Sequence, residues 1–325
     1  WLQRLEQLTR GLGVHGALAA APDPAAMAAR LLAVPQGPRL PRPAPTPPVE
    51  ARPRKLSVTE IETWLRDPYA IYARHVLRLR PLDALDETIG PLERGTALHK
   101  ALELFVQTYP AALPDDAVEQ LAAIADAVFA EAGVPKAALA VWRPRFLAAA
   151  EGFVEIERDR RALLATPHLE KKGSLTIAAP GGDFTLSGVA DRIDLLTDGS
   201  AEIVDYKTGT PPSRKQVEQL LSPQLPLEAA ILAAGGFPGI GAHATRAMLY
   251  LSLADGKKAR KPVVIGDAEA LAQEAVKQLA RLVDLFDQAA TPYLPRVQPF
   301  STDSAGDYDH LARVREWSAS GGDGA

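Results

Sequence analysis

Two alternating segments joined by a tight turn restrict the fold of this chain more than any other feature. Residues 183–196 and 201–207 place apolar side chains at alternate positions, which is the period of a β-strand. The dipeptide Asp198-Gly199 between them favours a hairpin turn. Because residues 173–179 alternate in the same way, we predict a meander of three strands.

Segments with helical periodicity lie on both sides of this meander. The capping-box spacing of Ser57 and Glu60 predicts the start of one helix, and Asp67-Pro68 predicts the start of a second. A further strand is expected near the C-terminal third, and the remaining helices carry apolar residues at helical spacing. We expect that strand at about 244–253 and those helices at about 92–109, 115–132, 136–165, 213–221, 224–235 and 267–289. This order predicts an α/β fold in which helices flank a mixed sheet.

The N-terminal part of the chain differs from the rest. Residues 1–34 contain two short helical patterns, which we interpret as the end of a preceding helical region. Residues 35–54 are rich in proline and basic residues, a composition typical of a solvated, extended linker, or else of a strap that contacts a partner or a nucleic-acid backbone. We assign 55–318 to the main domain and 319–325 to a flexible tail.

The composition excludes several classes of chemistry. The chain has no cysteine, which excludes disulfides, thiol catalysis and cysteine-bound metal sites. Its 36 basic and 40 acidic side chains give a net charge of −4, which excludes a uniformly basic surface but not a local basic groove. No apolar run approaches the ~20 residues of a membrane helix. We expect a cytoplasmic protein and, because the first residue is Trp1, a piece of a longer chain.

Three polar residues lie where the hairpin strands would otherwise be apolar. Asp205 and Lys207 share one face of their strand, and the turn brings Asp191 near Asp205. Neighbouring carboxylates repel each other unless a cation neutralises them, and oxygen ligands without cysteine favour Mg²⁺ or Mn²⁺. Such residues are common on solvated strand faces, but Ile203 and Val204 indicate a buried strand. We therefore interpret the three residues as a metal-dependent site.

These residues resemble the core motif of a known family. Gly188-x-x-Asp191, followed by Asp-Tyr-Lys-Thr-Gly at 205–209, resembles the PD-(D/E)XK nuclease superfamily. The resemblance implies the restriction-endonuclease-like fold, a mixed sheet flanked by helices, and metal-dependent hydrolysis of phosphodiester bonds.

Two other motifs resemble the helicase-associated branch of that superfamily. Residues 95–103 form the pattern Gly-x-x-x-His-x-x-x-Glu, and in that branch the histidine, here His99, is a metal ligand. Gln224 resembles the first residue of the branch's Gln-x-x-x-Tyr motif, which helps to place DNA. This chain departs from the motif at its last position, where Glu228 stands in place of Tyr.

Further segments narrow the resemblance to the nuclease domain of the AddB family, whose members are subunits of bacterial AddAB helicase–nucleases. These segments are residues 56–64, 67–69 and 307–311. Residues 1–34 would then end a helicase-like region, and an AddA-like helicase subunit would be the partner. Many members hold this domain together with an iron–sulfur cluster. Asp67 stands where the first cysteine would be, so we expect no cluster, and other packing must hold the C-terminal segment.

The resemblance assigns roles to the site residues. His99, Asp191, Asp205 and the carbonyl of Tyr206 would hold Mg²⁺, with Mn²⁺ as the alternative. Lys207 would orient the attacking water. The three residues assigned to catalysis are thus Asp191, Asp205 and Lys207.

Four other residues receive supporting roles. Gln224 and Thr208 are expected to contact the DNA backbone. Glu103, one helical turn after His99, is expected at the surface, behind the metal ligands or at a second metal. Asp194 is expected either to face away from the site or to support it from behind.

The implied function is that of a DNA exonuclease, which degrades single strands from an unwound duplex during double-strand break resection and recombinational repair. The sequence has no Gly-x-x-x-x-Gly-Lys-[Ser/Thr] loop, so we expect no ATP site, and no membrane partner is expected. Two alternatives are a catalytically silent DNA-binding or scaffolding module of the same fold, and a metal-dependent enzyme that acts on another substrate.

Overall fold

The computed structural model describes residues 1–16, 23–33, 40–81, 90–253, 262–298 and 305–318. The side chains of residues 91 and 92 and the predicted tail 319–325 lie outside the description. The elements in chain order are α1 (Leu2–Gly11), α2 (Pro24–Leu32), β1 (Lys55–Ser57), α3 (Val58–Arg66), α4 (Pro68–Ile71), α5 (Pro91–Thr108), α6 (Ala117–Glu131), α7 (Lys136–Arg161), β2 (Leu164–Ile177), β3 (Phe184–Leu196), β4 (Ala201–Lys207), α8 (Arg214–Glu218), α9 (Gln224–Ala233), β5 (Thr245–Ser252), β6 (Val263–Ile265), α10 (Ala268–Phe286) and α11 (Val314–Trp317).

The chain divides into two compact units, residues 1–41 and 42–325. The first unit holds α1 and α2, at the positions of the two N-terminal helical patterns. Asp23 caps α2, because its carboxylate accepts a hydrogen bond of 2.9 Å from the backbone N–H of Ala25. The leucine side chains of α1 are exposed, so these helices bury little apolar surface within the described chain.

A six-stranded mixed sheet forms the centre of the second unit and confirms the predicted fold class. Strands β2, β3 and β4 are antiparallel neighbours, as predicted for the meander. β1 pairs with β3 and β5 pairs with β4 in parallel, and β6 is antiparallel to β5. On the edge opposite to β2, strand β3 pairs with β1 over residues 185–187 and with β4 over residues 192–195. Among the described strands, none pairs with residues 188–191 on that side, so the sheet is open there.

Helices cover both faces of β4 and β5. Successive side chains of a strand point to opposite faces, so alternate residues of each strand contact different helices. On one face, α3, α9 and α10 pack against residues such as Ile203 and Met248. On the other, α5, α6 and α7 pack against residues such as Val204 and Leu249. This double burial explains why Ile203 and Val204 of β4 and residues 247–251 of β5 are apolar or aromatic. Within the described ranges, no helix has the length and apolar character needed to cross a membrane.

A buried network of charges joins α7 to the β3–β4 hairpin. Arg192 is fully buried and donates hydrogen bonds to Glu157 at 2.7 Å, to Asp194 at 2.6 Å and to the Tyr206 hydroxyl at 3.2 Å. Asp194 also accepts a hydrogen bond of 2.6 Å from Arg160. Asp194 therefore faces α7 and belongs to this network. Because its charges are paired and hydrogen-bonded, the network holds α7 in one position against the hairpin.

Residues 42–54 belong to the second unit and are anchored there by Arg52, while the linker over 35–54 stays a prediction. Arg52 is only 4% exposed. Its guanidinium donates hydrogen bonds to the carbonyls of Phe286 at 2.7 Å and Ala289 at 3.0 Å. The physical reason is that carbonyls at the C-terminal end of α10 lack partners within the helix, and Arg52 supplies donors.

The C-terminal segment 305–318 packs against the region around α4. Tyr308 lies in an apolar cluster with Tyr69 and Ala73, and its hydroxyl donates a hydrogen bond of 2.8 Å to the carbonyl of Leu79. Aromatic and aliphatic contacts therefore join this segment to the first helices of the main domain. Packing of this kind was expected in place of a metal cluster.

Candidate active site

Strand β4 places Asp205 and Lys207 side by side where it separates from β3. They are two positions apart and share one face, and Lys207 Nζ lies 3.0 Å from Asp205 Oδ1 and 2.9 Å from Oδ2. Gln224, the first residue of α9, bridges the pair. Its Nε2 donates to Asp205 Oδ1 at 2.8 Å, and its Oε1 accepts from Lys207 at 3.2 Å. The structure thus brings three of the expected site residues together.

Asp191 and His99 approach the same place from β3 and α5. The carboxylate of Asp191 accepts a hydrogen bond of 2.9 Å from the backbone N–H of Tyr206 and so links the two strands just beyond the last pair of their ladder. His99 Nδ1 lies 3.4 Å from Asp191 Oδ2. The His99 ring also packs edge-on against the Tyr206 ring, with 5.9 Å between centroids. The helix motif and the hairpin motif therefore meet in space.

Glu170 of β2 also lies at this place, although no motif in the sequence identified it. One candidate ligand atom from each of His99, Glu170 and Asp191 lies within 4.8 Å of the others. Glu170 falls between two regular cross-strand pairs of β2 and β3, and its φ is +47°. This left-handed conformation costs a non-glycine residue on the order of 1–3 kcal/mol and is typical of functional sites. We refer to His99, Glu170, Asp191 and Asp205 as the acidic cluster.

Burial and mutual repulsion disturb the ionisation of this cluster. Burial raises the pKa of Asp205 to about 6, and Asp191 acts in the same direction while Lys207 opposes it. Burial together with Asp191 also raises the pKa of Glu170. Burial alone would lower the pKa of Lys207, but the Asp205 carboxylate outweighs that effect and raises it. Lys207 is therefore held as an ammonium beside carboxylates that carry excess negative charge.

The donor set of the acidic cluster fits a divalent cation. Asp205 Oδ2 is buried and accepts no hydrogen bond of acceptable geometry from the described chain, although Lys207 Nζ lies 2.9 Å away. Carboxylate oxygens with one imidazole and no thiol suit Mg²⁺ or Mn²⁺. Asp205 stands beside the group formed by His99, Glu170 and Asp191 rather than within it. The carbonyl of Tyr206 as a further ligand stays a prediction.

Thr208 and Glu103 lie close to the residues of α5 that approach the cluster. The Thr208 hydroxyl is 3.4 Å from the place that a Cβ on Gly95 would occupy, one helical turn before His99. Glu103 accepts a hydrogen bond of 2.8 Å from Lys100, and its charge helps to raise the pKa of Glu170. Contacts of Thr208 and Gln224 with DNA stay predictions.

Glu228 supports Gln224 from one helical turn further along α9. Its carboxyl is 1% exposed and accepts a hydrogen bond of 3.2 Å from Gln224 Nε2. Both amide hydrogens of Gln224 therefore have an acceptor, one in Asp205 and one in Glu228. Burial raises the pKa of Glu228 well above its usual value, and Asp205 adds to this effect. Glu228 thus supplies a buried acceptor that orients the Gln224 amide.

Comparison with protein families agrees with this geometry. The model of the PD-(D/E)XK nuclease superfamily matches residues 55–299, about three quarters of the chain. The chain belongs to this superfamily. The match includes β2, both hairpin strands, α5 and α9, and hence every residue of the acidic cluster. Nucleases of the PD-(D/E)XK superfamily use divalent metals, in agreement with the donor set.

The curated relatives are long proteins described as uncharacterized. One from Rickettsia bellii (strain RML369-C) is 32% identical over 57% of this chain and 22% of its own length. One from Rickettsia felis (strain ATCC VR-1525 / URRWXCal2) is 33% identical over 66% of this chain and 25% of its own length. The chain thus spans about a quarter of their length or less. The solved structure of SSO0001 is 12% identical, covering 57% of this chain and 73% of that chain, with a TM-score of 0.25.

Proposed function

We propose that this chain is a Mg²⁺-dependent DNA exonuclease. The observation that carries the proposal is the fixed arrangement of Asp205, Lys207 and Gln224 next to His99, Glu170 and Asp191. A structural ion pair would need neither a buried Oδ2 of Asp205 that lacks a hydrogen bond of acceptable geometry nor the left-handed backbone at Glu170. Together these features favour a site that binds a cation and acts on an anionic substrate.

The chain's own residues suit phosphodiester hydrolysis. A divalent cation held by the acidic cluster would neutralise phosphate charge and lower the pKa of water. Lys207 contributes a permanent ammonium, because Asp205 raises its pKa. Such a fixed donor can orient the attacking water and stabilise negative charge that develops on the phosphate oxygens. Gln224 keeps the ammonium in place through its 3.2 Å hydrogen bond.

We further propose that the exonuclease takes part in double-strand break resection and recombinational repair, with an AddA-like helicase subunit as its partner. Residues 56–64, 67–69 and 307–311 support this assignment by their resemblance to the AddB family. A net charge of −4 and no nucleotide-binding loop in the sequence fit a domain that receives unwound DNA from a motor. The cysteine-free composition fits a cytoplasmic setting.

Degradation of end-labelled linear single-stranded DNA in Mg²⁺ tests the activity. We expect Asp205→Ala and Lys207→Ala each to lower the rate by on the order of 10²-fold or more. Asp159 is an exposed carboxylate of α7, so Asp159→Ala is the matched control and should retain the wild-type rate. Equal rates in all four proteins would overturn the proposal.

A closed circle of single-stranded DNA separates exonuclease from endonuclease action. An exonuclease needs a chain end, so the circle should persist while the linear strand is degraded. Cleavage of the circle at a comparable rate would replace the exonuclease assignment with an endonuclease. DNA binding without cleavage of either substrate would favour the alternative of a catalytically silent module.

A further inference from the structure

A polar, uncovered face of the sheet leads to the acidic cluster. Cross-strand pairing places Lys172 beside Val189 and Ser174 beside Ser187 on one face of β2 and β3. β1 adds Lys55 to the same face, and these side chains are exposed or half-buried. Two residues beyond Lys172 and Val189, in the direction away from β1, the same strands carry Glu170 and Asp191 of the cluster.

A groove of about 530 Å³ follows this face. Its volume lies in the range of roughly 300–1,000 Å³ that is typical of small-ligand sites. The N-terminus of α3 forms one wall at Thr59, and Gln224 belongs to the lining. Because Gln224 also contacts Asp205, the groove borders the candidate active site at this residue.

The chemistry of the groove favours a polyanion. Its lining includes Lys55 and Lys172, and neither ammonium has a carboxylate within ion-pair distance in the described chain. Hydroxyl groups from four residues add hydrogen-bond donors, and the described lining residues include no carboxylate. They include no aromatic ring either, so bases would find no stacking platform. Such a surface binds phosphates and sugars and reads no sequence.

We propose that this groove binds the sugar–phosphate backbone of a single DNA strand next to the phosphodiester that is cleaved, an inference that rests on the proposed nuclease function. Lys55 and Lys172 each pair with a backbone phosphate, and the serine and threonine hydroxyls bind neighbouring oxygens. The groove thus gives the nuclease its affinity for the strand without selecting particular bases.

Fluorescence anisotropy with labelled oligothymidylate, in Ca²⁺ to prevent cleavage, tests the groove. We expect the double variant Lys55→Ala/Lys172→Ala to bind on the order of tenfold more weakly at physiological salt. The slope of log affinity against log salt should fall by about 1.4, because each phosphate neutralised on a single strand contributes about 0.7. Lys136 and Lys277 are exposed lysines on other elements, so Lys136→Ala/Lys277→Ala is the matched control and should change neither quantity.

Hydrolysis of bis-p-nitrophenyl phosphate shows whether the groove variant leaves the site intact. This ester is too small to occupy the groove, so comparing its rate with the rate on DNA separates lost strand binding from damage to the site. A groove variant with the affinity and salt slope of the control would overturn the groove proposal alone, whether or not the wild type cleaves DNA. Loss of binding in the groove variant, with a wild type that cleaves nothing, would retain the groove and overturn the nuclease.

Discussion

At the scale of single residues, Asp205 has two opposing requirements. It is 2% exposed, which disfavours its charge, whereas its proposed role as a metal ligand requires the ionised form. Burial raises its pKa to about 6, with Lys207 as the opposing influence. The carboxylate is therefore ionised at neutral pH, but its pKa of about 6 leaves only a small margin between neutral pH and protonation.

This margin predicts a pH-dependent affinity for metal. Because the pKa of Asp205 is raised to about 6, protons displace metal from it as the pH falls below that value. We expect Mn²⁺ affinity to fall by up to about tenfold per pH unit in that range, measured by titration calorimetry. In Asp205→Asn the slope should be smaller by about one proton, and an equal slope in both proteins would contradict the assignment.

Glu228 allows a second prediction, because its role depends on an acceptor atom rather than on charge. Glu228→Gln keeps an oxygen for the Gln224 amide, so we expect kcat on single-stranded DNA close to the wild-type value. Glu228→Leu removes the acceptor and frees Gln224 to leave Lys207. The loss of about 1 kcal/mol from one hydrogen bond then lowers kcat by about fivefold, with KM unchanged. Equal kcat in Glu228→Leu and Glu228→Gln would contradict this role.

The sequence predicted the contacts of some residues at the candidate site but not of others. The neighbourhood of Asp191, Asp205 and Lys207 follows from strand alternation and one turn, which are local properties. The place of Glu170 depends on a left-handed backbone and on β2 beginning at Leu164, well before the strand predicted at 173–179. Neither property follows from local sequence, so only the structure places Glu170 beside His99 and Asp191.

At the scale of elements, the strands and helices that local sequence determines are again the ones that could be predicted. Strands β3 and β4 lie at Phe184–Leu196 and Ala201–Lys207, almost as predicted, because a hairpin turn fixes their register. β1 and β6 are three residues long and were not predicted. Such short segments carry no periodic pattern, and β1 becomes a strand only through parallel pairing with β3. The long helix predicted at 136–165 ends at Arg161 because β2 begins soon after it.

The charge network between α7 and the hairpin gives a prediction about stability. Glu157→Ala leaves the buried guanidinium of Arg192 with one carboxylate fewer, and breaking a buried pair costs about 3–5 kcal/mol. We expect a loss of this size in the free energy of unfolding, measured by urea denaturation. Glu155 is exposed on the same helix, so Glu155→Ala should change it by no more than about 0.5 kcal/mol. Similar losses in both variants would contradict a special role for the network.

At the scale of the whole molecule, the acidic cluster depends on the complete fold of the second unit. Its four residues come from α5 and the three consecutive strands β2, β3 and β4, and only the folded sheet with α5 packed on it brings His99 to the strand carboxylates. An unfolded chain cannot bring these side chains together around one place. The apolar cores on the two faces of the sheet contain none of these residues, so the fold itself does not depend on metal.

Metal should therefore stabilise the folded chain without being required for it. At a Mn²⁺ concentration about 100-fold above Kd, binding adds about 2.7 kcal/mol and raises the melting temperature, and EDTA reverses the increase while the protein stays folded. Asp191→Asn should lose most of this increment, because it removes a charged ligand from the centre of the cluster. Asp159→Asn, on the exposed side of α7, should retain it. Unfolding by EDTA at room temperature would show that the fold requires metal, and a full increment in Asp191→Asn would show that the cation is bound elsewhere.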